Sequence, residues 1–285
     1  MNAMSEEQIP SKEQLVDMIC DRLSARFVSL VEAFSRSVGE VGVRYFVVDD
    51  LLPADVAAAI AGNFPEPNSM RLMDSFRERK YTSKNFDDFH PLMKSITFAM
   101  QDPKVVAIVE GITGIRQQIP DPSLYAGGLS AMTQGHFLGV HIDNSHEALR
   151  EYYRTVNLLY YVTPHWTEAS GGHLQLWDRY VNRSVTITSA FNRLVVMETH
   201  PLSWHSVSRV GADGVRRCVS NYYFSPVSPT GSEYFNVTSF SAPTSEPVRR
   251  LALRLDAVLR QAVRVFLPDG PGQKDVYRGG DSTER

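Results

Sequence analysis

Gly139-Val140-His141-Ile142-Asp143-Asn144 places a histidine and an aspartate two residues apart at the end of an apolar run. Alternate residues of a strand point to one face, so His141 and Asp143 project side by side while Ile142 turns away. One imidazole and one carboxylate on one face are two thirds of the facial set that holds non-haem Fe(II) and leaves coordination positions open. The third ligand must come from a distant segment, so the fold has to bring strands back on themselves.

The flanking sequence has that character. From about Ser123 onward, short runs rich in Val, Leu, Tyr, Ile and Thr are broken by Gly, Pro, Asn and Asp. The pattern predicts strands at 127–133, 136–142, 154–162, 172–178, 184–189, 193–199, 204–210 and 216–225. Short strands separated by turns in this way predict a barrel-like sandwich or jelly roll. Arg154-Thr-Val-Asn-Leu-Leu-Tyr-Tyr-Val162 is almost continuously apolar and is expected at the centre of the sheet.

Three further features weigh on the site. His205, in Leu202-Ser-Trp-His-Ser-Val207, lies near the end of the strand series and is the first choice for the missing ligand. His173, beside Gly171 and Gly172, is the second choice; His136, His146, His165 and His200 qualify by residue type alone. Arg216 opens the strand ending at Phe224, and a guanidinium fork matches a carboxylate in geometry and charge. Its neighbour Arg217 must face the other way, so one of the two points inward. The glycine pair at 171–172 permits a tight turn and close backbone approach. Trp166, Trp177, Arg179 and Tyr180 flank strand ends and are candidates for a pocket wall.

Taken together, Ser130 to Asp143, Leu158-Leu-Tyr-Tyr-Val162, Gly171-Gly-His-Leu, Asn192-Arg-Leu-Val-Val-Met, Trp204-His-Ser-Val and Arg216-Arg resemble the Fe(II)/2-oxoglutarate dioxygenases. The prolyl-hydroxylase-like branch is the most similar, over roughly Leu51 to Pro226. The resemblance implies a double-stranded β-helix. It implies His141, Asp143 and His205 as iron ligands, Arg216 on the distal carboxylate of 2-oxoglutarate, and Tyr161 and Asn157 as further cosubstrate contacts. It also implies O2 as oxidant, with ascorbate a further candidate, and hydroxylation of an unactivated C–H with release of succinate and CO2. The expected substrate is a small molecule or an amino-acid-like, prolyl-type unit; a peptidyl or protein prolyl hydroxylase is the alternative. Met132 stands where that branch usually has a tyrosine, and the spacing from His205 to Arg216 is one residue longer, which implies a wider turn at 211–214. Asp143 is retained, which disfavours halogenation. A non-catalytic metal-binding jelly roll has no need of an anchoring arginine, and a zinc hydrolase would require a general base for which no HExxH motif is present.

The rest of the chain of 285 residues supports this core, giving an α+β, mainly β single domain. A helical support region is expected over 11–115. It contains a helix at 11–37 opened by a Ser11/Gln14 capping box and ended by Gly39 and Gly42, a strand at 43–48, and a helix opened by Pro53. Helices at His90–Met100 and Pro103–Thr113 follow a polar segment at 63–90, read as a long loop that serves as a lid. The core spans 123–228. A C-terminal helix at 245–266 carries an apolar stripe through Leu251, Leu255 and Val258 opposite an arginine-rich face, suited to packing on the sheet or to a homodimer through the terminal helices. Residues 268–285 are expected to be disordered. A formal net charge of -3 gives no field for nucleic acid or a membrane. Two cysteines make no disulfide framework, and no apolar run has transmembrane length or signal-peptide form, so a cytoplasmic setting is expected.

Overall fold

The computed structural model describes residues 9–125, 127–147, 149–253, 255–256 and 277. Helix α1 spans Lys12–Ala25 and begins as expected. The Ser11 hydroxyl accepts from the Gln14 N–H at 3.3 Å, and the Gln14 amide oxygen accepts from the Ser11 N–H at 2.8 Å. The single helix expected at 11–37 is in fact two. The chain breaks at Arg26 and continues as α2, Phe27–Val41. Leu15, Ile19 and Leu23 are buried in α1, but burial resumes at Leu30 and Phe34, leaving Phe27 exposed. α1 packs on two later helices, and α2 on the first strand and on one of those same helices. Gly39 lies within α2; Gly42, at φ +79°, ends it.

Strand β1 (Tyr45–Val48) and helix α3 (Ala54–Gly62) follow. Residues 63–90 do not form a long loop. They contain the hairpin β2 (Arg71–Asp74) and β3 (Glu78–Thr82), which joins the main sheet. The charged run hid the strand because β3 turns Glu78, Lys80 and Thr82 toward a polar cavity, so alternation carries no apolar signal there. Helices α4 (Pro91–Ala99) and α5 (Pro103–Thr113) each begin with proline, and α5 ends at Gly114 with φ +68°.

The remaining strands are β4 (Ile119–Pro120), β5 (Gly128–Met132), β6 (Phe137–Ile142), β7 (Tyr153–Tyr161), β8 (Leu174–Trp177), β9 (Ser184–Ile187), β10 (Arg193–Glu198), β11 (His205–Val207), β12 (Arg216–Ser225) and β13 (Ser239–Phe240). All pairings are antiparallel. The order β1-β10-β7-β12-β5 forms one half and β6-β11-β8-β9 the other, with β3 bridging β5 and β6. The sheet thus curls into a jelly roll whose eight core strands divide four and four, β5, β7, β10 and β12 in one half and β6, β8, β9 and β11 in the other, as in a double-stranded β-helix.

β7 lies between β10 and β12, the central position expected of it. Its two faces differ. Val156, Leu158 and Tyr160 join the helices in one core cluster, whereas Asn157 and Leu159 face the inside of the roll. Asn192 anchors the helical side. It adopts φ +59°, its side chain donates to Leu52 O at 2.7 Å, and it accepts from the Leu52 N–H at 3.1 Å and the Tyr160 hydroxyl at 2.9 Å.

Residues 247–253 and 255–256 are helical; the rest of the 245–266 helix and the tail after 268, apart from Tyr277, lie outside the described residues. Leu253 is buried against Phe240, Ala242 and Leu138. Cys20 and Cys218 are both free thiols. Among the described residues no helix is long and apolar enough to cross a membrane.

Candidate active site

Antiparallel pairing of β11 with β6 sets His205 directly across from His141. Asp143 follows β6 by one residue. The imidazole centroids are 4.1 Å apart, and Asp143 carboxylate oxygens lie 3.6 Å from His141 Nε2 and 3.5 Å from His205 Nε2. One donor atom from each of the three falls within 4.8 Å of the others. The orientation of both rings follows from backbone carbonyls. Gly139 O and Ser203 O each lie 2.9 Å from an Nδ1. A carbonyl can only accept, so each Nδ1 carries the proton and each Nε2 turns its lone pair to the centre. Glycine is required at 139 because a Cβ there would stand 2.8 Å from Arg77 O on the adjacent hairpin.

Asp143 and His205 are held in metal-binding form. Burial alone would raise the Asp143 carboxyl, but Arg154 and the two histidines hold it well below the usual carboxylate range. Burial, and then repulsion from His141, pushes His205 down to about 4. Two imidazoles and a carboxylate on one side of a cavity suit a divalent iron with open positions.

Asp143 is held from behind. Asn157 Nδ2 donates to Oδ2 at 2.8 Å, Arg154 Nη1 lies 3.2 Å from the same oxygen, and Asn236 Nδ2 donates to the Asp143 carbonyl at 2.8 Å. Asn157, expected at the cosubstrate, thus spends its amide donors on this carboxylate, and its Oδ1 has no partner. Arg154 escaped the sequence reading. Its only signal was a cation opening an otherwise apolar strand. It is 1% exposed, its guanidinium carbon sits 4.2 Å from the Tyr222 ring centroid, and Nε and Nη2 have no hydrogen-bond partner.

Arg216 turns inward on β12. It is buried, and its contacts are weak: Nε donates to Ser189 Oγ at 3.3 Å and Nη1 to Met132 Sδ at 3.7 Å, with the guanidinium 4.8 Å from the Tyr161 centroid. Met132, the departure from the expected tyrosine, therefore supplies a thioether to this arginine. Among the described residues no carboxylate pairs with Arg216. A buried cation without a counter-ion is costly, and it marks a place for an anion. The Tyr161 hydroxyl is likewise buried without a hydrogen-bond partner, and burial pushes the phenol up. Arg217 points outward, 3.9 Å from Glu66. The glycine pair has its use here: at Gly172, φ +67°, a Cβ would stand 2.9 Å from Arg216 Cδ. The longer turn after β11 is held where Gly211 and Ala212 N–H donate to Ser170 O at 2.9 and 3.1 Å.

A cavity of about 380 Å³ connects His141, Asp143, His205, Arg154 and Arg216. β3 contributes Glu78 and Lys80 to its wall, paired at 3.0 Å. Burial would raise the Glu78 carboxyl, but Lys80, His141 and Arg77 hold it below its ordinary range. The other candidates lie elsewhere. His173 is tied into the backbone through Glu168 O and the Ser189 N–H. Trp166 packs on Met132 and Val210, and Trp177 donates to Ser206 Oγ at 2.8 Å. Arg179 lies 5.1 Å from the centroid of the exposed Tyr180 ring.

Residues 127–225 match the family model described as the 2OG-Fe(II) oxygenase superfamily. No curated protein matches the chain. Among solved structures, a Pseudomonas putida prolyl-4-hydroxylase is similar at 17% identity and a TM-score of 0.50, covering 69% of this chain and 98% of that one. A Trichoplax adhaerens prolyl hydroxylase, in complex with a hypoxia inducible factor oxygen degradation domain peptide fragment, is 17% identical with a TM-score of 0.46, covering 81% and 98%. HygX from Streptomyces hygroscopicus, with nickel, 2-oxoglutarate and hygromycin B bound, is 13% identical with a TM-score of 0.45, covering 67% and 86%. At such identities the likeness is one of fold, resting on the first of the three.

Proposed function

Residues 127–225 match the model of the 2OG-Fe(II) oxygenase superfamily, and we propose that the protein is such an oxygenase and hydroxylates an unactivated C–H of a small, amino-acid-like substrate, releasing succinate and CO2. His141 Nε2, His205 Nε2 and the Asp143 carboxylate hold the iron, and Arg216 takes the distal carboxylate of 2-oxoglutarate with Tyr161 beside it. When bound, iron and the keto acid supply the oxidising chemistry, with O2 as oxidant.

The chain's own residues supply position. The carbonyls of Gly139 and Ser203 keep the ring protons at Nδ1. Asn157 and Arg154 fix Asp143 through Oδ2. Leu159, Leu174 and Val207 line the same cavity and keep water from its apolar wall.

One observation carries this reading: a buried arginine with no counter-ion shares a cavity with three converging metal donors. A purely structural metal site has no use for such an arginine. The test is a panel of amino acids, amino-acid-derived metabolites and prolyl peptides, scored by 2-oxoglutarate-dependent succinate release and by product mass. The expected outcome is succinate coupled to a product heavier by one oxygen atom. Succinate formation that no member of the panel stimulates, with no oxidised product, refutes hydroxylation of this class.

A further inference from the structure

Resting on the oxygenase reading, we propose that the Glu78–Lys80 pair on β3 reads the charged ends of the substrate, and that the substrate is a small zwitterion bearing a protonated amine and a carboxylate. Strand alternation sends these two side chains to the cavity wall. Their neighbours turn away: Arg79 pairs with Asp74 at 3.3 Å, and the Tyr81 ring lies 5.2 Å from His136. β3 is registered on β6 with Glu78 opposite Leu138, three residues before His141, so the pair overlooks the metal donors.

The pair is incompletely used. Lys80 Nζ contacts Glu78 Oε2 at 3.0 Å, and among the described residues neither side chain makes another hydrogen bond. Glu78 therefore keeps Oε1, and Lys80 keeps ammonium donors. Neighbouring charges are already engaged. Arg77 pairs with Asp256 at 2.9 Å, and Asp143 is held by Arg154 and Asn157. A cavity wall that offers one carboxylate oxygen and a set of cationic donors is complementary to a ligand of both signs. The substrate's ammonium donates to Glu78. Its carboxylate accepts from the Lys80 ammonium. A residue inside a peptide has neither charged end and loses both contacts, so the same wall selects against chain-embedded substrates.

The test uses the full chain loaded with Mn(II) and 2-oxoglutarate, in a thermal-shift panel of the free L-amino acids with their N-acetyl and carboxamide derivatives. At least one free amino acid should raise the melting temperature. Its N-acetyl derivative should bind about tenfold more weakly or worse, the loss expected for one charge-assisted hydrogen bond. Glu78→Gln should remove that preference, and Lys80→Met should weaken the free acid more than its carboxamide. Stabilisation by none of the free acids, equal or better binding of the N-acetyl forms, or an unchanged preference in Glu78→Gln overturns the proposal. The rise in melting temperature from Mn(II) and 2-oxoglutarate alone is read in the same plate, and its absence would instead count against the metal and cosubstrate site.

Discussion

Replacing Arg216 by alanine should cripple cosubstrate binding while leaving the fold intact. The side chain is 4% exposed and makes only a 3.3 Å hydrogen bond to Ser189 and a 3.7 Å contact to Met132 sulfur. Its guanidinium is therefore free to give a carboxylate two parallel charge-assisted hydrogen bonds, at about 1.5–3 kcal/mol each. Truncating one partner of a desolvated charge pair costs about 2–5 kcal/mol. Taking about 3 kcal/mol, at about 1.4 kcal/mol per decade, the dissociation constant for 2-oxoglutarate should rise about a hundredfold. The assay is calorimetric titration of 2-oxoglutarate into Mn(II)-loaded wild type, Arg216→Ala, Arg216→Lys and Arg217→Ala. The lysine variant should recover part of the loss, because it restores charge but not the fork. Arg217, outward beside Glu66, should have no effect. The metal-free Arg216→Ala protein should melt no lower than wild type, since the variant removes a buried cation that has no counter-ion. Affinity in Arg216→Ala within about threefold of wild type, or the loss appearing in Arg217→Ala instead, would refute this reasoning.

Gly172→Ala should act on the same arginine indirectly: its Cβ meets Arg216 Cδ at 2.9 Å at a φ of +67°, which itself costs about 1–2 kcal/mol. The same titration should show weaker 2-oxoglutarate binding with Mn(II) affinity preserved. For the metal-free protein, stability should fall as pH drops from 6.5 toward 4. His205 is depressed to about 4 in the fold, so below pH 6.5 the unfolded chain binds the extra proton. Melting temperature against pH, compared with His205→Gln, checks the sign; a flat profile in wild type contradicts it. Asn192→Ala loses three hydrogen bonds and strands the buried Tyr160 hydroxyl, a loss of about 3 kcal/mol and hence a fall of about 6–12 °C in melting temperature by calorimetry.

The β core was legible because each of its strands pairs an apolar face with a short turn, and the structure places all eight within a few residues of the sequence reading. The HxD triplet was legible for a simpler reason: strand alternation alone puts His141 and Asp143 together. His205 needed the added premise that the last strands return beside the first, which the β6–β11 pairing supplies. Other features follow from burial that no local pattern encodes. Arg154 reads as an ordinary strand-opening cation until its surroundings are known. The β2–β3 hairpin failed every apolar test because its inner face serves a polar cavity. The break at Arg26 gave no sign because the repeat of buried positions, Leu23 to Leu30, continues in phase across it.

If His141, Asp143 and His205 form one iron site that also accepts 2-oxoglutarate, the two ligands must meet on one metal. Anaerobic addition of Fe(II) to the protein with 2-oxoglutarate, followed by visible absorption, addresses it directly. A metal-to-ligand charge-transfer band should appear, saturate at one iron per chain and be absent from His141→Ala, Asp143→Ala and His205→Ala. No band in wild type, or a band undiminished in any of the three variants, would contradict it.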